Sequence, residues 1–323
     1  MSTAESPESE ITPKPSWRSW LRFRLRTLLF VLTIIGVFFA WLGYQYRQAE
    51  RQRQAVKRSG GSAYYDFEIE SISPPVFVTK RDAPLPGWNW TRKLLGIDFH
   101  ADVKVMTLSS IVTPEDGLKH LRNLTELEYL EFSGSEFGPP VLIHLRELTQ
   151  LRVLELNGIP ISDTEMVNLE ELIRLESLTL SSHLLSSDGL AHLRSLKHLK
   201  HLRITSTQVS DDGLKHLGPL KELERLSLHS TKVTDSGLTY LRELPKLKEL
   251  NLTYTRITDD GVAHLATMQQ LEKLGLEGTS VTANGILKLK TAIPECRIYW
   301  RERWWGHSYD PDPREWKGWP RIH

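Results

Sequence analysis

Twelve histidines and one cysteine are the side chains of this 323-residue sequence that could ligate a metal ion or act as nucleophiles. Five of the histidines recur at one position of a repeating unit, and these are His120, His144, His192, His216 and His264. Metal ligands also need carboxylates around them and a closed geometry, which a row of evenly spaced histidines does not supply. We therefore interpret these histidines as half-exposed positions on amphipathic helices, and we expect no metal or other cofactor.

The sequence lacks the motifs of the common enzyme classes. It contains no phosphate-binding glycine loop, no dinucleotide-binding glycine pattern, no G-x-S-x-G and no H-E-x-x-H. The single cysteine, Cys296, excludes an intrachain disulfide and a cysteine-based zinc site. We interpret it as a small apolar residue of a terminal strand, with a disulfide between two copies of the chain left open. We expect that the protein is not an enzyme.

Binding is the chemistry for which the sequence offers candidates. Arginine and aromatic side chains on a rigid surface are typical of binding hot spots, and several occur at equivalent positions of successive segments. The early segments carry acidic groups and the middle segments basic ones, and the candidate contact residues are Tyr129, Glu131, Glu155, His201, Arg203, Arg225, His229 and Tyr254. We expect a protein or peptide partner, or a glycan. Because the net charge is +1, we expect no nucleic-acid partner.

Eight repeats of 24 residues supply the elements that position these side chains. Their first residues are Val103, Leu127, Leu151, Leu175, Leu199, Leu223, Leu247 and Leu271. The pattern is L-x-x-L-x-L-x-x-T-x-[VI]-[ST]-D-x-G-L-x-x-L-x-x-L. Its first part predicts a short strand whose fourth and sixth residues point inward, because side chains alternate along a strand. The third, fifth and seventh residues then point to the opposite face.

The second part of each repeat predicts a helix on the outer side, because its leucines are three residues apart. A serine or threonine just before it is interpreted as the N-cap, and these residues are Ser162, Ser186, Ser210, Thr234, Thr258 and Thr282. The aspartate that follows lies in the first helical turn, where the helix dipole favours an anion. We therefore interpret T-D-x-G as helix-capping chemistry rather than a calcium site.

Stacked repeats of this kind predict an α/β solenoid. Adjacent strands lie about 4.8 Å apart, whereas packed helices need roughly 8–10 Å. The expected fold is a horseshoe with a concave parallel sheet and convex helices, preceded by one transmembrane helix. The ends should be atypical caps. Residues 59–102 predict a short strand, a Pro-rich loop and a helical turn, and IPECRIYW predicts a ninth strand with Ile298 and Trp300 pointing inward.

The segment Thr27–Tyr44 carries no charge and as a helix spans about 27 Å, close to the hydrocarbon thickness of a bilayer. Charged flanks disfavour a buried core helix, and the absence of a small-x-small pair disfavours a cleaved signal peptide. We expect an uncleaved single-pass anchor. The basic residues on its two sides are nearly balanced, so the positive-inside rule does not decide the orientation. We expect the repeats outside the cytoplasm, because a signal-anchor can translocate a long following domain.

The expected organisation has five parts. Residues 1–26 form a disordered, basic cytoplasmic tail, 27–44 the transmembrane helix, 45–102 a juxtamembrane helix and N-terminal cap, 103–294 the eight repeats, and 295–323 a C-terminal cap strand with a Trp-rich tail. The tryptophans of the tail are expected either to cover the last repeat or to form an exposed contact site, and they are Trp304, Trp305, Trp316 and Trp319.

The phrase T-x-V-T-D-x-G-L-x-x-L resembles the leucine-rich repeats of ribonuclease-inhibitor and F-box proteins. Together with RFRLRTLLFVLTIIGVFFAW, RQRQAVKRSGGSAYYD and WTRKLLGIDF, the arrangement is similar to a bacterial family of membrane-anchored repeat proteins common in planctomycetes. The resemblance covers about residues 18–300 and implies a repeat domain on a membrane anchor. The second and third repeats depart from it, since Pro139-Pro140 and Thr164-Glu165 interrupt the D-x-G element.

These observations predict a membrane-anchored binding scaffold that uses the concave face of its repeats. No F-box-like helical segment precedes the repeats, which argues against a ubiquitin-ligase adaptor. The alternative is a structural protein of the cell envelope that self-associates through its Trp-rich tail or its transmembrane helix.

Overall fold

The computed structural model describes residues 17–59, 62–65, 69–73, 76–79, 103–109, 115–135, 140–205 and 207–301. The chain divides into two compact units, Met1–Gln48 and Ala49–His323. Of the N-terminal tail predicted to be disordered, residues 1–16 lie outside the described residues, as do the WTRKLLGIDF segment and the Trp-rich tail after Arg301. The prediction is wrong for residues 17–26, which are helical.

The first unit contains most of helix α1, Trp17–Ser59. The stretch Leu29–Arg58 is one helix long and apolar enough to cross a membrane, with a mean hydropathy of 1.7 for its most apolar window. The large apolar side chains at its beginning are exposed, and Phe30 retains 67% of its accessible surface. A helix of this kind fits a transmembrane segment or a signal anchor.

The last turns of α1 belong to the second unit and pack on the repeats. Ala55 is fully buried and joins the hydrophobic core, and Val56 packs against that core. Arg58 Nη1 lies 3.4 Å from Nε2 of His120, on the helical segment of the first repeat. The polar end of α1 therefore covers the beginning of the array, as expected for a cap.

A ten-stranded sheet forms one side of the repeat array. Nine of its strands are parallel, and neighbouring strands among them pair residues that are 24 positions apart, such as Leu226 with Leu250 and Leu250 with Leu274. Strand β1, Ser62–Tyr65, closes the first edge and runs antiparallel to the first of the nine. The nine parallel strands are β4 Val103–Ser109, β5 Tyr129–Ser133, β6 Val153–Asn157, β7 Ser177–Ser181, β8 His201–Thr205, β9 Arg225–Ser227, β10 Glu249–Asn251, β11 Lys273–Gly275 and β12 Arg297–Tyr299. The predicted parallel-sheet solenoid is confirmed.

The Pro-rich loop predicted after β1 is wrong in part. Val76–Thr79 forms strand β3, which pairs antiparallel with β2, Ile69–Ser73, in a separate two-stranded sheet. The register of this pair brings Ser73 opposite Val76. Proline counts led to the loop prediction, whereas Val76, Phe77 and Val78 are good strand formers.

Short helical segments lie on the other side of each repeat. In the first four repeats they are 3-10 helices, at Glu115–Asn123, Leu142–Leu145, Asp163–Leu169 and Asp188–Ser195, and in the sixth repeat a 3-10 turn, Asp235–Gly237, precedes an α-helix. In the later repeats they are α2 Asp211–Leu214, α3 Leu238–Leu241, α4 Asp259–Leu265 and α5 Ala283–Ala292. Leucines three residues apart suit the three-residue turn of a 3-10 helix. The helical segment also persists in the third repeat, where the Glu165 carboxylate accepts hydrogen bonds from the backbone N–H groups of Ser162 and Val141, at 3.1 Å each.

The leucines of strands and helical segments form one continuous core. Leu226, Leu228, Leu250 and Leu252 are fully buried, so the predicted inward positions are confirmed. The C-terminal strand continues the pattern: Ile298 pairs with Leu274, and Trp300 packs on the core. Its indole Nε1 donates to the carbonyl oxygen of Val281 at 2.9 Å. Cys296 precedes this strand and is buried, which raises its pKa to about 11.

The interpretation of T-D-x-G as helix capping is confirmed in position at five of its six residues, since Ser162, Ser210, Thr234, Thr258 and Thr282 are the N-cap residues of their helical segments. The side chains of Thr258 and Thr282 accept a hydrogen bond from their own helix, from Asp260 N and Gly285 N, and Ser186 Oγ accepts one from Asp188 N at 3.4 Å. The segment that starts at Asp188 has Ser187 as its N-cap, not Ser186. The recurring spacing has a second use, because the aspartate of the motif reaches the following repeat.

These contacts form an aspartate ladder, which we define as the carboxylates that accept from both the N–H and the hydroxyl of the serine or threonine one repeat later. Its members are Asp163 with Ser186, Asp211 with Thr234, Asp235 with Thr258 and Asp259 with Thr282. The contact also explains the glycine of the motif in the next repeat, because the carboxylate occupies the space that a side chain there would need. A Cβ on Gly189 would lie 2.6 Å from Oδ1 of Asp163. The ladder joins repeat to repeat, whereas a cap would stabilise a single helix.

Candidate functional site

The candidate site is the sheet face, defined as the side chains at the third, fifth and seventh positions of each repeat along β4 to β12. Seven of the eight predicted contact residues occupy these positions, and Tyr254 lies one position beyond. The opposite orientation of this face is visible in the packing: Val105, Tyr129 and Val153 are buried but do not belong to the leucine core.

The acidic part of the sheet face is a buried pair. Tyr129 and Glu155 retain only 5% and 3% of their accessible surface, and the Tyr129 hydroxyl donates to Oε1 of Glu155 at 2.9 Å. Burial raises the pKa of Glu155 to about 7; the hydrogen bond from Tyr129 opposes this rise and the nearby Glu131 carboxylate adds to it. Glu131 itself is half-buried. The pair thus places a carboxyl group that titrates near neutrality within the sheet face.

A strip of small hydroxyl side chains separates the acidic part from the basic part. Ser177 and Thr179 of β7 are buried, with 4% and 3% exposure. Thr179 is in register with Glu155 on one side and with Arg203 on the other. Glu155 and Arg203 still interact electrostatically across it, and each moves the pKa of the other towards its charged form.

The basic part lies on β8 and β9. His201 is in register with Arg225, and Arg203 with Ser227. Burial lowers the pKa of Arg203 to about 10 and, together with the Arg225 charge, the pKa of His201 to about 4. His201 is therefore neutral at physiological pH.

Two charged residues that the sequence analysis did not single out continue this part of the face. Arg225 Nε lies 3.5 Å from Oε2 of Glu249, which is only 5% exposed, and Lys273 Nζ lies 2.8 Å from Oε1 of the same carboxylate. Both occupy the third position of their repeats, so the positional rule that selected Arg225 would have found them.

His229 and Tyr254 form the aromatic end of the predicted set. Their rings meet edge to face with centroids 5.4 Å apart, and Nδ1 of His229 lies 2.7 Å from the Thr253 hydroxyl. Tyr254 has a positive φ of 56° and keeps 45% of its surface exposed. Its ring lies over Gly278, where a Cβ would be 2.6 Å from the ring carbon Cδ1. Tyr254 is thus a fixed aromatic side chain with a surface open to contact.

A charge ladder borders the sheet face at the second position of each repeat and was not predicted. Basic and acidic residues alternate there without interruption, in the order Lys104, Glu128, Arg152, Glu176, Lys200, Glu224, Lys248 and Glu272. Ion pairs join neighbours along it, including Arg152 to Glu176 at 2.7 Å and Lys200 to Glu176 at 2.8 Å. The strict alternation at 24-residue spacing was the signal that would have found it.

The five recurring histidines are half-buried on the helical side, as predicted. One of them, His192, contacts Glu170 at 2.6 Å between Nδ1 and Oε1. Within the part of the chain that the structure describes, no three histidine, cysteine or acidic side chains are grouped so that they could hold a metal ion.

Comparison with known proteins places the repeats in a family. Residues 97–290 match the family model described as leucine-rich repeat region. No curated protein matches the chain.

Solved structures of bacterial repeat proteins are similar to this chain at low identity. An internalin from Listeria monocytogenes is 22% identical, with a TM-score of 0.46, over 56% of this chain and 56% of its own. Internalin C2 from the same organism is 22% identical, with a TM-score of 0.48, over 63% of this chain and 86% of its own. A leucine-rich-repeat protein from Leptospira interrogans is 18% identical, with a TM-score of 0.42, over 60% of this chain and 48% of its own. The match spans little more than half of the first of these proteins.

Proposed function

Because the chain belongs to the leucine-rich-repeat family, we propose that it is a scaffold that binds a partner protein or peptide on its sheet face. Repeats of this class present extended surfaces on which partners generally bind. The observation that carries the proposal is the composition of this surface: two arginines lie on the sheet face, and an exposed tyrosine, Tyr254, lies one position beyond it. Arg225 is oriented by Glu249, and Tyr254 by His229 and Gly278.

Rigidity of these side chains supports binding for a physical reason. A contact residue that is already ordered loses little conformational entropy when a partner arrives. Arginine and tyrosine also dominate measured interface energetics. Nine strands at about 4.8 Å spacing cover about 40 Å, which is enough for a standard protein interface.

We further propose that α1 anchors the chain in a membrane and that the repeats lie outside the cytoplasm. The exposed apolar side chains at Leu29–Phe39 support insertion in lipid. Protease added to intact cells tests the orientation, with an antibody against the repeats as the probe. Degradation of residues 60–323 with survival of the N-terminus supports it, and protection of the repeats until the membrane is breached contradicts it.

The binding proposal is tested with the double substitution Arg203→Glu and Arg225→Glu in the full-length chain. We expect partners captured by chemical cross-linking in cells to be lost, because two cations at the centre of the face become anions. The matched control is Arg146→Glu with Arg242→Glu, which changes the charge equally at exposed positions on the helical side. Circular dichroism establishes that both variants are folded. Capture that persists in the first variant, or disappears equally in both, would overturn the assignment of the sheet face.

A further inference from the structure

The charges of the sheet face are separated along the array. The strand positions of this face in β8 and β9 carry two arginines and no acidic residue, whereas those in β5 and β6 carry two glutamates and no basic residue. Arg203 and Arg225 lie on adjacent strands and are offset by two residues, since Arg203 pairs with Ser227. Diagonal neighbours of this kind are about 7–8 Å apart, so one short segment of a partner can reach both.

The positive charge of Arg203 interacts electrostatically with a carboxylate of the same face. Glu155, which interacts with Arg203, lies two strands away across Thr179. Burial raises the pKa of Glu155 to about 7, so this group is partly protonated at neutral pH. A guanidinium that is largely removed from water binds a carboxylate more strongly than an exposed one does.

A second observation at the same place is independent of charge. Oγ1 of Thr205 and Nδ1 of His201 are buried without a hydrogen-bond partner among the described residues. Both belong to sheet-face positions of β8, on either side of Arg203, and Thr205 is 97% buried, with 3% of its surface exposed. Buried polar groups in folded proteins are nearly always hydrogen-bonded, so a bound polar group is expected to complete these two.

We propose that β8 and β9 form a carboxylate-recognition site and that its occupant is an extended acidic peptide segment of the partner. Side chains at alternate residues of an extended segment point the same way and are about 7 Å apart, which matches the diagonal between the two arginines. One carboxylate binds Arg203 beside the Thr205 hydroxyl, and the next binds Arg225 beside His201. Glu249, in register with Arg225 on the next strand, lies 3.5 Å from it. This inference rests on the proposed function and names the chemistry of its partner.

The test uses the full-length chain in detergent micelles and a fluorescein-labelled peptide of alternating glutamate and alanine. Fluorescence anisotropy measures its affinity at fixed ionic strength, beside peptides in which glutamine or lysine replaces glutamate. We expect the acidic peptide to bind at least about tenfold more tightly than either of the other two. Arg203→Gln with Arg225→Gln is expected to abolish that preference, and Arg146→Gln with Arg242→Gln to leave it unchanged.

Each outcome decides the proposal. Equal binding of the three peptides overturns it, and so does an equal loss in both double variants, which would indicate unspecific charge attraction. Cross-linking of the cellular partner distinguishes failure of this proposal from failure of the proposed function. If the cross-linked partner is lost in the sheet-face variant but the acidic peptide neither binds nor competes with it, the sheet face binds a partner of other chemistry. If no partner depends on the sheet face, the proposed function itself fails.

Discussion

The carboxylate of Asp235 accepts two hydrogen bonds from Thr258 in the next repeat, one from the backbone N–H at 2.9 Å and one from the hydroxyl at 2.6 Å. Thr258 in turn accepts from the backbone N–H of Asp260 at 3.2 Å. One carboxylate thus joins two repeats and positions the start of the second helix. In a solenoid, where each repeat contacts only its neighbours, such contacts contribute to the interface energy that holds the array together.

Removal of one carboxylate from the aspartate ladder should weaken the whole array. Asp235→Ala deletes two charge-assisted hydrogen bonds and leaves the Thr258 N–H without its acceptor, so we expect a loss of about 1–3 kcal/mol in unfolding free energy. Asp260→Ala is the matched control, because that aspartate is exposed and follows the same threonine. Urea unfolding followed by circular dichroism measures both variants. Equal effects of the two substitutions would contradict the ladder.

The aspartate ladder has a weak step that can be repaired. Ser187 occupies the aspartate position. Its Oγ accepts a hydrogen bond from the backbone N–H of Ser210 at 3.1 Å and lies 3.1 Å from the Ser210 hydroxyl. Ser187→Asp should reproduce the geometry of Asp211 with Thr234, since Gly213 opposite it leaves the same space. We expect a gain of about 0.5–1.5 kcal/mol in unfolding free energy, read from the urea midpoint. A loss of stability as large as that of Ser187→Ala would contradict this account.

Two sheet-face groups give stability an opposite dependence on pH. The pKa of Glu155 is raised from 4.5 to about 7, so its contribution to the unfolding free energy is full below pH 4.5 and is lost as the pH rises to about 7. The pKa of His201 is lowered from 6.5 to about 4, so its contribution is full above pH 6.5 and is lost as the pH falls towards 4. Between pH 4.5 and 6.5 the two trends oppose each other.

Single substitutions should separate these trends. The unfolding free energy of Glu155→Gln should rise with pH across this window, because only the His201 effect remains. That of His201→Gln should fall, by up to about 3 kcal/mol, because only the Glu155 effect remains. Thermal unfolding in a series of buffers gives the slopes. The same slope in both variants would show that neither group is perturbed as described.

A charge should destabilise the array at a core leucine but not at a surface leucine. Leu228→Asp places an unpaired carboxylate in a fully buried position, and we expect loss of the folded array, because burying a charge without a partner costs several kcal/mol. Leu287→Asp is the control, since Leu287 keeps 66% of its surface exposed. Limited proteolysis compares the two, and resistance of the Leu228 variant equal to that of the wild type would contradict the predicted orientation.

Much of the fold could be predicted from the sequence, because a 24-residue period fixes both strand register and the inward leucines. The inward positions of Ile298 and Trp300 followed from counting alone. The roles of Asp235 and its equivalents did not, since a cap and an inter-repeat contact place aspartate and threonine at the same spacing. Only three-dimensional stacking distinguishes them.

The sequence predicted where the residues of the candidate site lie, but not their burial or their protonation. Alternation placed Tyr129 and Glu155 on the sheet face, but it did not predict that only 5% and 3% of their surfaces remain exposed. The acid–base state of His201 depends likewise on burial and on Arg225 in the next strand. Such effects join residues that are 24 or more positions apart, which local sequence patterns do not report.

Site-specific photo-cross-linking in cells tests the binding claim most directly. A photoreactive phenylalanine analogue replaces Tyr254 beside the sheet face or, as the matched control, Tyr240 on the helical side; the two tyrosines keep 45% and 36% of their surface exposed. We expect a discrete cross-linked partner from position 254 that is absent from position 240. A partner that cross-links only from position 240, or equally from both, would contradict binding through the sheet face.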